Sequence, residues 1–297
     1  MPVFINDLTV FSPAKVNLNL AIMDKRQDGY HDLESVFLIV DFGDTLRFSL
    51  RKNGEFHNIT EIVMKGLDSA ISTENNIVFK AVSVFREKTG FFEKLEIIID
   101  KKIPLGSGLG GGSSDAASTL LAMNKIAGFP CNRQDLIDMA LTLGSDVPFF
   151  IHETSAAYIT GRGERITPFK APLLHLALVN PGFPSDTAAA FRLLDEYREE
   201  NKEFKVRNAQ SAIKSCFNEN SSFFNDFLDI FPNKEKAIYN EIISQLKNAG
   251  ADFANLSGTG STCFGVFKDL ELTKRAVELL DNKWNFVKLA KTYFVSK

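Results

Sequence analysis

Between Gly106 and Ser114 the chain places five glycines and three serines in nine consecutive positions. A strand-like segment, Leu95 to Asp100, leads into this stretch, and a small-residue helix is expected from Asp115 to Ala127. Glycine lets the backbone take positive φ and approach a ligand closely, so successive N–H groups can converge on an anion. The helix that follows adds the partial positive charge of its N-terminus at the same place. A helix cap alone would need one serine and no glycines. Strand, glycine-rich turn and helix N-terminus together predict a phosphate cradle.

The common phosphate loops do not fit it. A Walker loop ends in Gly-Lys-[Ser/Thr], and no lysine is present here. Gly106, Gly108 and Gly111 satisfy G-x-G-x-x-G, but a dinucleotide fold wants an acid about 20 positions on, and position 131 is Cys. Asp41-Phe42-Gly43 imitates a protein-kinase motif, yet it precedes the glycine loop, and no His-Arg-Asp segment separates the two.

The rest of the chain predicts a mixed α+β protein in two halves that meet near 160–172. Val16, Leu18, Leu20 and Ile22 alternate with Lys15, Asn17, Asn19 and Ala21, the period of a strand with one buried face. Thr45–Leu50, Leu173–Val179 and Thr262–Phe267 also read as strands. Helices are expected over Asn76–Lys88, Arg133–Leu143, Asp186–Glu199, Lys234–Asn248 (with Gly250 as its C-terminal cap) and Leu270–Leu280. Asn201–Asn233 is polar and shows no pattern. With 297 residues the chain can bury about 75% of its unfolded surface without a disulfide or metal staple.

A net charge of −3 gives no general attraction to nucleic acid or to an anionic membrane, so any anionic ligand needs a local site. Cys131, Cys216 and Cys263 lack zinc-ligand spacing. The start, Met1 to Asp7, lacks the basic and apolar regions of a secretion signal, and no apolar run is long enough for a span. These features predict a soluble, cytoplasmic protein. Of 27 Phe, the pairs Phe91-Phe92, Phe149-Phe150 and Phe223-Phe224 are expected to fill cores.

Three more segments carry chemistry. Pro13-Ala14-Lys15-Val16-Asn17-Leu18 puts a lysine and an asparagine on one strand face. Gly144-Ser145-Asp146-Val147-Pro148 sets one carboxylate in a short apolar loop. Ser257-Gly258-Thr259-Gly260 is a second glycine-rich turn. In this order, with Pro104–Ser114, they resemble the GHMP small-molecule kinase superfamily. The likeness is sharper to its 4-diphosphocytidyl-2-C-methyl-D-erythritol kinases, through Arg26-x-Asp28-Gly29-Tyr30-His31 and Phe37-x-x-x-Asp41-x-x-Asp44. It is strong from Ser12 to about Gly163 and patchy afterwards, with Asn180-Pro181-Gly182 and the third motif as islands.

The resemblance implies a two-domain GHMP kinase fold. Residues 1–164 would form a domain like ribosomal protein S5 domain 2, and 165–297 a ferredoxin-like domain. It implies transfer of the γ-phosphoryl group of ATP to the 2-hydroxyl of a small cytidyl diphosphate alcohol, in non-mevalonate isoprenoid synthesis, by a monomer or weak homodimer. Lys15 and Asp146 would be catalytic. Pro104, Leu105, Gly106, Ser107, Gly108, Leu109, Gly110, Gly111, Gly112, Ser113 and Ser114 would hold ATP, with the Ser114 hydroxyl as a Mg²⁺ contact. Tyr30 and Phe191 would sandwich the cytosine, His31 would read its edge, and Asn17, Phe37 and Thr187 would complete the substrate site. An acid at Asp115 admits two readings, a helix cap or a group repelling phosphate. Rival readings are a homoserine- or mevalonate-type kinase, a diphosphomevalonate decarboxylase, or a binding protein on the same fold.

Overall fold

The computed structural model describes residues 6–51, 60–66, 76–201 and 223–294. The chain divides into two compact units, and both are discontinuous in sequence. One comprises residues 1–14, 43–105 and 110–153, and the other 15–42, 106–109 and 154–297. The expected contiguous halves, 1–164 and 165–297, partition the sequence, whereas these units partition the contacts. Two long strands, β1 (Asp7–Lys25) and β2 (His31–Leu50), contribute to both units, which is why neither is a single run of chain.

In the first unit, β2 pairs antiparallel with β4 (Leu95–Lys101), from Thr45↔Asp100 to Leu50↔Leu95. β4 pairs parallel with β3 (Thr60–Gly66), a strand that no alternation in the sequence announces. Gly43 is required where β1 passes β2: a Cβ there would lie 2.3 Å from the Ser12 carbonyl oxygen. Helix α1 (Ile77–Thr89) starts where the Asn76 side chain accepts from Val78 N and stops at Gly90, at φ +70°. Helix α3 (Arg133–Leu143) opens with a reciprocal capping box between Asn132 and Asp135. Between them lies α2 (Gly111–Ile126), buried almost all round. Its alanines and serines let α1, α3 and the short α4 (Val147–Ile151) approach closely.

Helix α2 begins at Gly111, four residues before the expected Asp115. Gly110, at φ +70°, supplies the turn, and Gly111–Ser114 form the first helical turn instead of a loop.

In the second unit, β2 pairs antiparallel with β5 (Ala156–Thr160), which pairs with β6 (Arg165–Phe169). A separate antiparallel sheet runs β10–β7–β9–β8, formed by Phe286–Lys291, His175–Asn180, Cys263–Phe267 and Phe253–Leu256. Two amphipathic helices close its face after α5 (Thr187–Glu200) and α6 (Phe227–Ile230). These are α7 (Asn233–Asn248) and α8 (Leu270–Asp281), which bury Tyr239, Ile242, Leu246, Ala276 and Leu280 against Val179, Leu256 and Phe267. A buried side chain of this size contributes about 1.5–3 kcal/mol.

Two expectations fail on burial. Strand β1 does not have a single buried face: from Ala14 to Ile22 every residue is buried, Lys15, Asn17 and Asn19 included. The polar face is covered by polar partners, described below. Of the paired phenylalanines, Phe149 and Phe150 are buried, but Phe92 is 61% exposed. Phe91 turns inward, edge-on to Phe85, and its neighbour therefore points away. Most of the unpatterned Asn201–Asn233 stretch, and Cys216, lie outside the described residues.

Candidate active site

In the second unit, motifs some 90 to 240 positions apart in sequence meet at backbone level. The Lys15 N–H donates to the Leu109 carbonyl at 2.9 Å, and the Asn17 N–H to Ser257 Oγ at 3.2 Å. Ser257 Oγ in turn donates to the Gly108 carbonyl at 2.8 Å, and the Thr262 N–H to the Ser107 carbonyl at 3.0 Å. Only glycine fits position 108, where a Cβ would lie 2.0 Å from the Ser257 carbonyl oxygen. Asn225 steadies the second turn by donating to the Leu256 and Gly258 carbonyls.

The side chains above this backbone are buried and paired. Lys15 is 3% exposed; its Nζ donates to Asn17 Oδ1 at 2.5 Å and lies 4.5 Å from the centre of the Phe37 ring. Asn17 Nδ2 donates to Ser35 Oγ at 3.0 Å. An amide oxygen on one side and an aromatic face on the other fix the direction of this side chain. Phe37 therefore sits under Lys15. Thr187, at the start of α5, meets the second glycine turn instead, its Oγ1 lying 3.2 Å from Thr259 Oγ1.

The base-binding candidates occupy a turn and a helix of this same unit. Asp28 Oδ1 accepts from the Tyr30 N–H at 3.1 Å, and Gly29 takes φ +84°, so Asp28-Gly29 forms the tight turn between β1 and β2. Tyr30 projects from it, 57% exposed, with the Arg162 guanidinium 4.9 Å above its ring. His31 is buried and stacks on Phe191 at 5.3 Å and 23°. Both rings expected to flank a cytosine carry protein groups here: His31 covers one face of Phe191, and Tyr30 carries Arg162. Sequence reasoning missed Arg162, and it missed Asp195, whose carboxylate bonds His31 Nε2 at 2.7 Å. Arg162 carried one usable signal, the Gly161-Arg162-Gly163-Glu164 turn, where Glu164 Oε2 accepts from the Arg162 N–H.

In the first unit, the two stems of the glycine loop share one ion cluster. Asp44 Oδ1 accepts from the N–H groups of Lys102 and Ile103, at 2.6 and 2.8 Å, just before Pro104. Its Oδ2 takes Lys101 Nζ at 2.5 Å, and the same ammonium reaches Asp115 Oδ2, on α2, at 2.7 Å. Burial drives the Asp115 carboxyl upward, to about 7; Lys101 opposes this and Asp44 adds to it. Burial alone would lower Lys101, but Asp115 and Asp44 raise it above its ordinary value. The cap role of Asp115 fails, because the helix is capped at Gly110 without a side-chain bond; its carboxyl reaches Lys101 Nζ instead.

Helix α2 carries no acid in its first turn, so its N-terminal N–H groups suit an anion. Ser114 is fully buried, with Ser12 Oγ donating to its Oγ at 2.8 Å. Asp146 is half-buried at the N-cap position of α4, its carboxylate making no cap bond there.

Two family models match the sequence, GHMP kinases N terminal domain over residues 76–154 and GHMP kinases C terminal over 208–285. A 4-diphosphocytidyl-2-C-methyl-D-erythritol kinase of Thermodesulfovibrio yellowstonii is 34% identical over 284 residues, covering 93% of this chain and 95% of the relative. A crystal structure of 4-(cytidine 5'-diphospho)-2C-methyl-D-erythritol kinase superposes with a TM-score of 0.79 at 28% identity, over 96% of this chain and 98% of that one. The L. major mevalonate kinase, at 14% identity and TM-score 0.73 over all of both chains, shares the fold.

Proposed function

Because the chain belongs to the 4-diphosphocytidyl-2-C-methyl-D-erythritol kinase family of the GHMP kinases, we propose that it transfers the γ-phosphoryl group of ATP to the 2-hydroxyl of 4-diphosphocytidyl-2-C-methyl-D-erythritol. The product would be the 2-phosphate, a step of non-mevalonate isoprenoid synthesis. One observation carries the reading beyond the family: Lys15, Asn17, the Gly106–Leu109 backbone and the Ser257–Gly260 turn are joined by direct hydrogen bonds.

Phosphoryl transfer asks the protein for position and charge compensation more than for covalent chemistry. In this proposal the backbone N–H groups from Pro104 to Ser114 hold the ATP phosphates, and the α2 N-terminus favours their charge. Asp146 orients the attacking hydroxyl and accepts its proton, and Lys15 stabilises the charge developing on oxygen. Asn17 bonds the methylerythritol hydroxyls, and Phe37 fixes the Lys15 ammonium from below. His31 reads the cytosine edge, with Tyr30 and Phe191 as its aromatic surroundings. The sequence division at 164/165 would separate the residues of phosphoryl transfer from Thr187 and Phe191.

A Mg²⁺ ion would neutralise charge on the β- and γ-phosphates. Among the described residues no group of three carboxylate, histidine or cysteine side chains could hold one unaided. Ser114 offers one oxygen, which fits an ion held chiefly by the phosphates it arrives with.

The test is turnover. ADP release should require both ATP and the cytidyl substrate, and Asp146→Asn should lower kcat by about 100-fold or more while nucleotide binding is kept. Lys15→Ala should affect the same step, with losses that are not additive with those of Asp146→Asn. Near-normal kcat in Asp146→Asn would remove that residue from the chemistry.

A further inference from the structure

Asp195 lies on α5, one helical turn beyond Phe191, and no motif marked it. Its Oδ1 bonds His31 Nε2 at 2.7 Å, and its Oδ2 takes Lys25 Nζ at 2.6 Å. Burial works to raise this carboxyl, but the hydrogen bonds from Lys25 and His31, together with the Lys25 charge, hold it below the usual carboxylate range. It is therefore a carboxylate at neutral pH, with acceptors only. An acceptor-only partner requires the imidazole proton on Nε2. In the neutral ring the other nitrogen, Nδ1, is then a bare acceptor. The ring is held in place as well: its side chain is 4% exposed and stacked on Phe191, which Phe227 backs edge-on at 5.1 Å.

This arrangement bears on the choice of base. Cytosine and uracil have nearly the same outline and stack alike, so an aromatic surface does not separate them. At position 4 cytosine carries an amino donor, where a uracil ring carries a carbonyl acceptor. A bare nitrogen facing position 4 accepts from the amine and meets the carbonyl lone pair to lone pair. We propose that Asp195 is a positioning residue that fixes His31 in its Nε2–H tautomer and so makes Nδ1 the acceptor that selects cytidine over uridine nucleotides. The inference rests on the reading of His31 as the base-edge contact.

The experiment is calorimetric titration of the whole chain and two variants with CDP and UDP at about pH 8, above the ordinary imidazole range. The unsubstituted protein should prefer CDP. Asp195→Asn presents an amide that can accept from Nε2–H or donate to a bare Nε2, so both tautomers become available. The ratio of CDP to UDP affinity should fall about tenfold, with CDP weakened and UDP strengthened. A ring merely loosened would bind both less well. Lys25→Met removes the other partner of the same carboxylate and should leave the ratio unchanged.

An unchanged ratio in Asp195→Asn, or equal weakening of both ligands, would overturn the proposal. So would Lys25→Met behaving like Asp195→Asn, which would make the effect one of charge. An unsubstituted protein preferring UDP would put the acceptor opposite another ring position and would overturn it too. Should Asp195→Asn fail to fold, nitrogen-15 NMR of the unsubstituted protein, which has four histidines, decides the tautomer. A protonated Nε2 and bare Nδ1 on His31 are expected, and the reverse refutes the proposal. Binding of neither CDP nor UDP would overturn the base-edge reading and this inference with it, yet the NMR result would still report the tautomer, so the two failures can be told apart.

Discussion

Two three-body charge clusters invite comparison. In the first unit one ammonium, Lys101, is shared by the carboxylates Asp44 and Asp115, and all three are almost completely buried, at 3%, 0% and 4% side-chain exposure. In the second unit one carboxylate, Asp195, is shared by Lys25 and His31, with Lys25 53% exposed and Asp195 25%. The geometry is similar and the surroundings are opposite. In the interior neither charge can turn to water, so the pairing decides where the β4 end and the α2 start can sit. At the surface water screens the ions, and what survives is direction: which nitrogen of a histidine carries the proton. The buried cluster holds a loop in place, while the surface cluster orients one ring.

The largest expected effect is on the buried side. Lys101→Met leaves two carboxylates facing each other without a cation and should cost about 3–5 kcal/mol of stability, measured by urea unfolding. A loss below about 1 kcal/mol would erase the contrast, since that is the range of surface pairs.

Asp115→Asn tests the same cluster by pH. Its folded-state carboxyl lies at about 7, against an unfolded value of about 3.9. The folded state therefore holds a proton that the unfolded state has lost. That contribution to stability is full below the unfolded value and disappears as pH rises toward the folded one. Stability should decline over this window with a slope below about 1.4 kcal/mol per pH unit. In Asp115→Asn that part of the slope should vanish; an unchanged slope would assign the proton elsewhere.

The two clusters also show what a linear reading of the chain can reach. Local chemistry is legible: the glycines of 106–112, the Asp28-Gly29 turn and the Ser257–Gly260 turn are each specified by their own residues. Partners remote in sequence are not. A helix cap and a phosphate repellent are both local roles for Asp115, whereas its partner lies 14 positions back on β4, and that partner's second acid 57 positions before it. His31 and Asp195 are 164 positions apart. Periodicity misleads at β1 for a related reason. A two-residue alternation identifies the apolar face as buried, but Lys15, Asn17 and Asn19 are buried by polar groups that the pattern cannot see. Strands β3, β5 and β6 escape because short strands without clean alternation carry little signal of their own.

On the exposed side the effects should shift from stability to binding. Tyr30 presents its ring to solvent, so Tyr30→Ala should leave the unfolding midpoint unchanged. It should raise KM for the cytidyl substrate about tenfold, within the roughly 1–3 kcal/mol that a base stacked on an aromatic ring contributes. KM for ATP should not move, and equal losses for both substrates would end the assignment of Tyr30 to the base.

Lys25→Met is the smallest expected effect and the sharpest edge of the comparison. Lys25 bonds its acid at 2.6 Å, nearly as short as the Lys101–Asp44 contact of 2.5 Å. If short contacts alone set the energy, the two lysine variants would lose similar stability. If burial sets it, Lys25→Met should stay within about 1 kcal/mol of the unsubstituted protein, and added salt should narrow even that difference. Urea unfolding of both variants at low and high salt separates the two accounts. The Lys101→Met loss should be nearly salt-independent because its ions are beyond the reach of the solvent atmosphere. A large, salt-insensitive loss in Lys25→Met would mean that the surface cluster holds structure too, and the division between a structural pair and an orienting pair would fall.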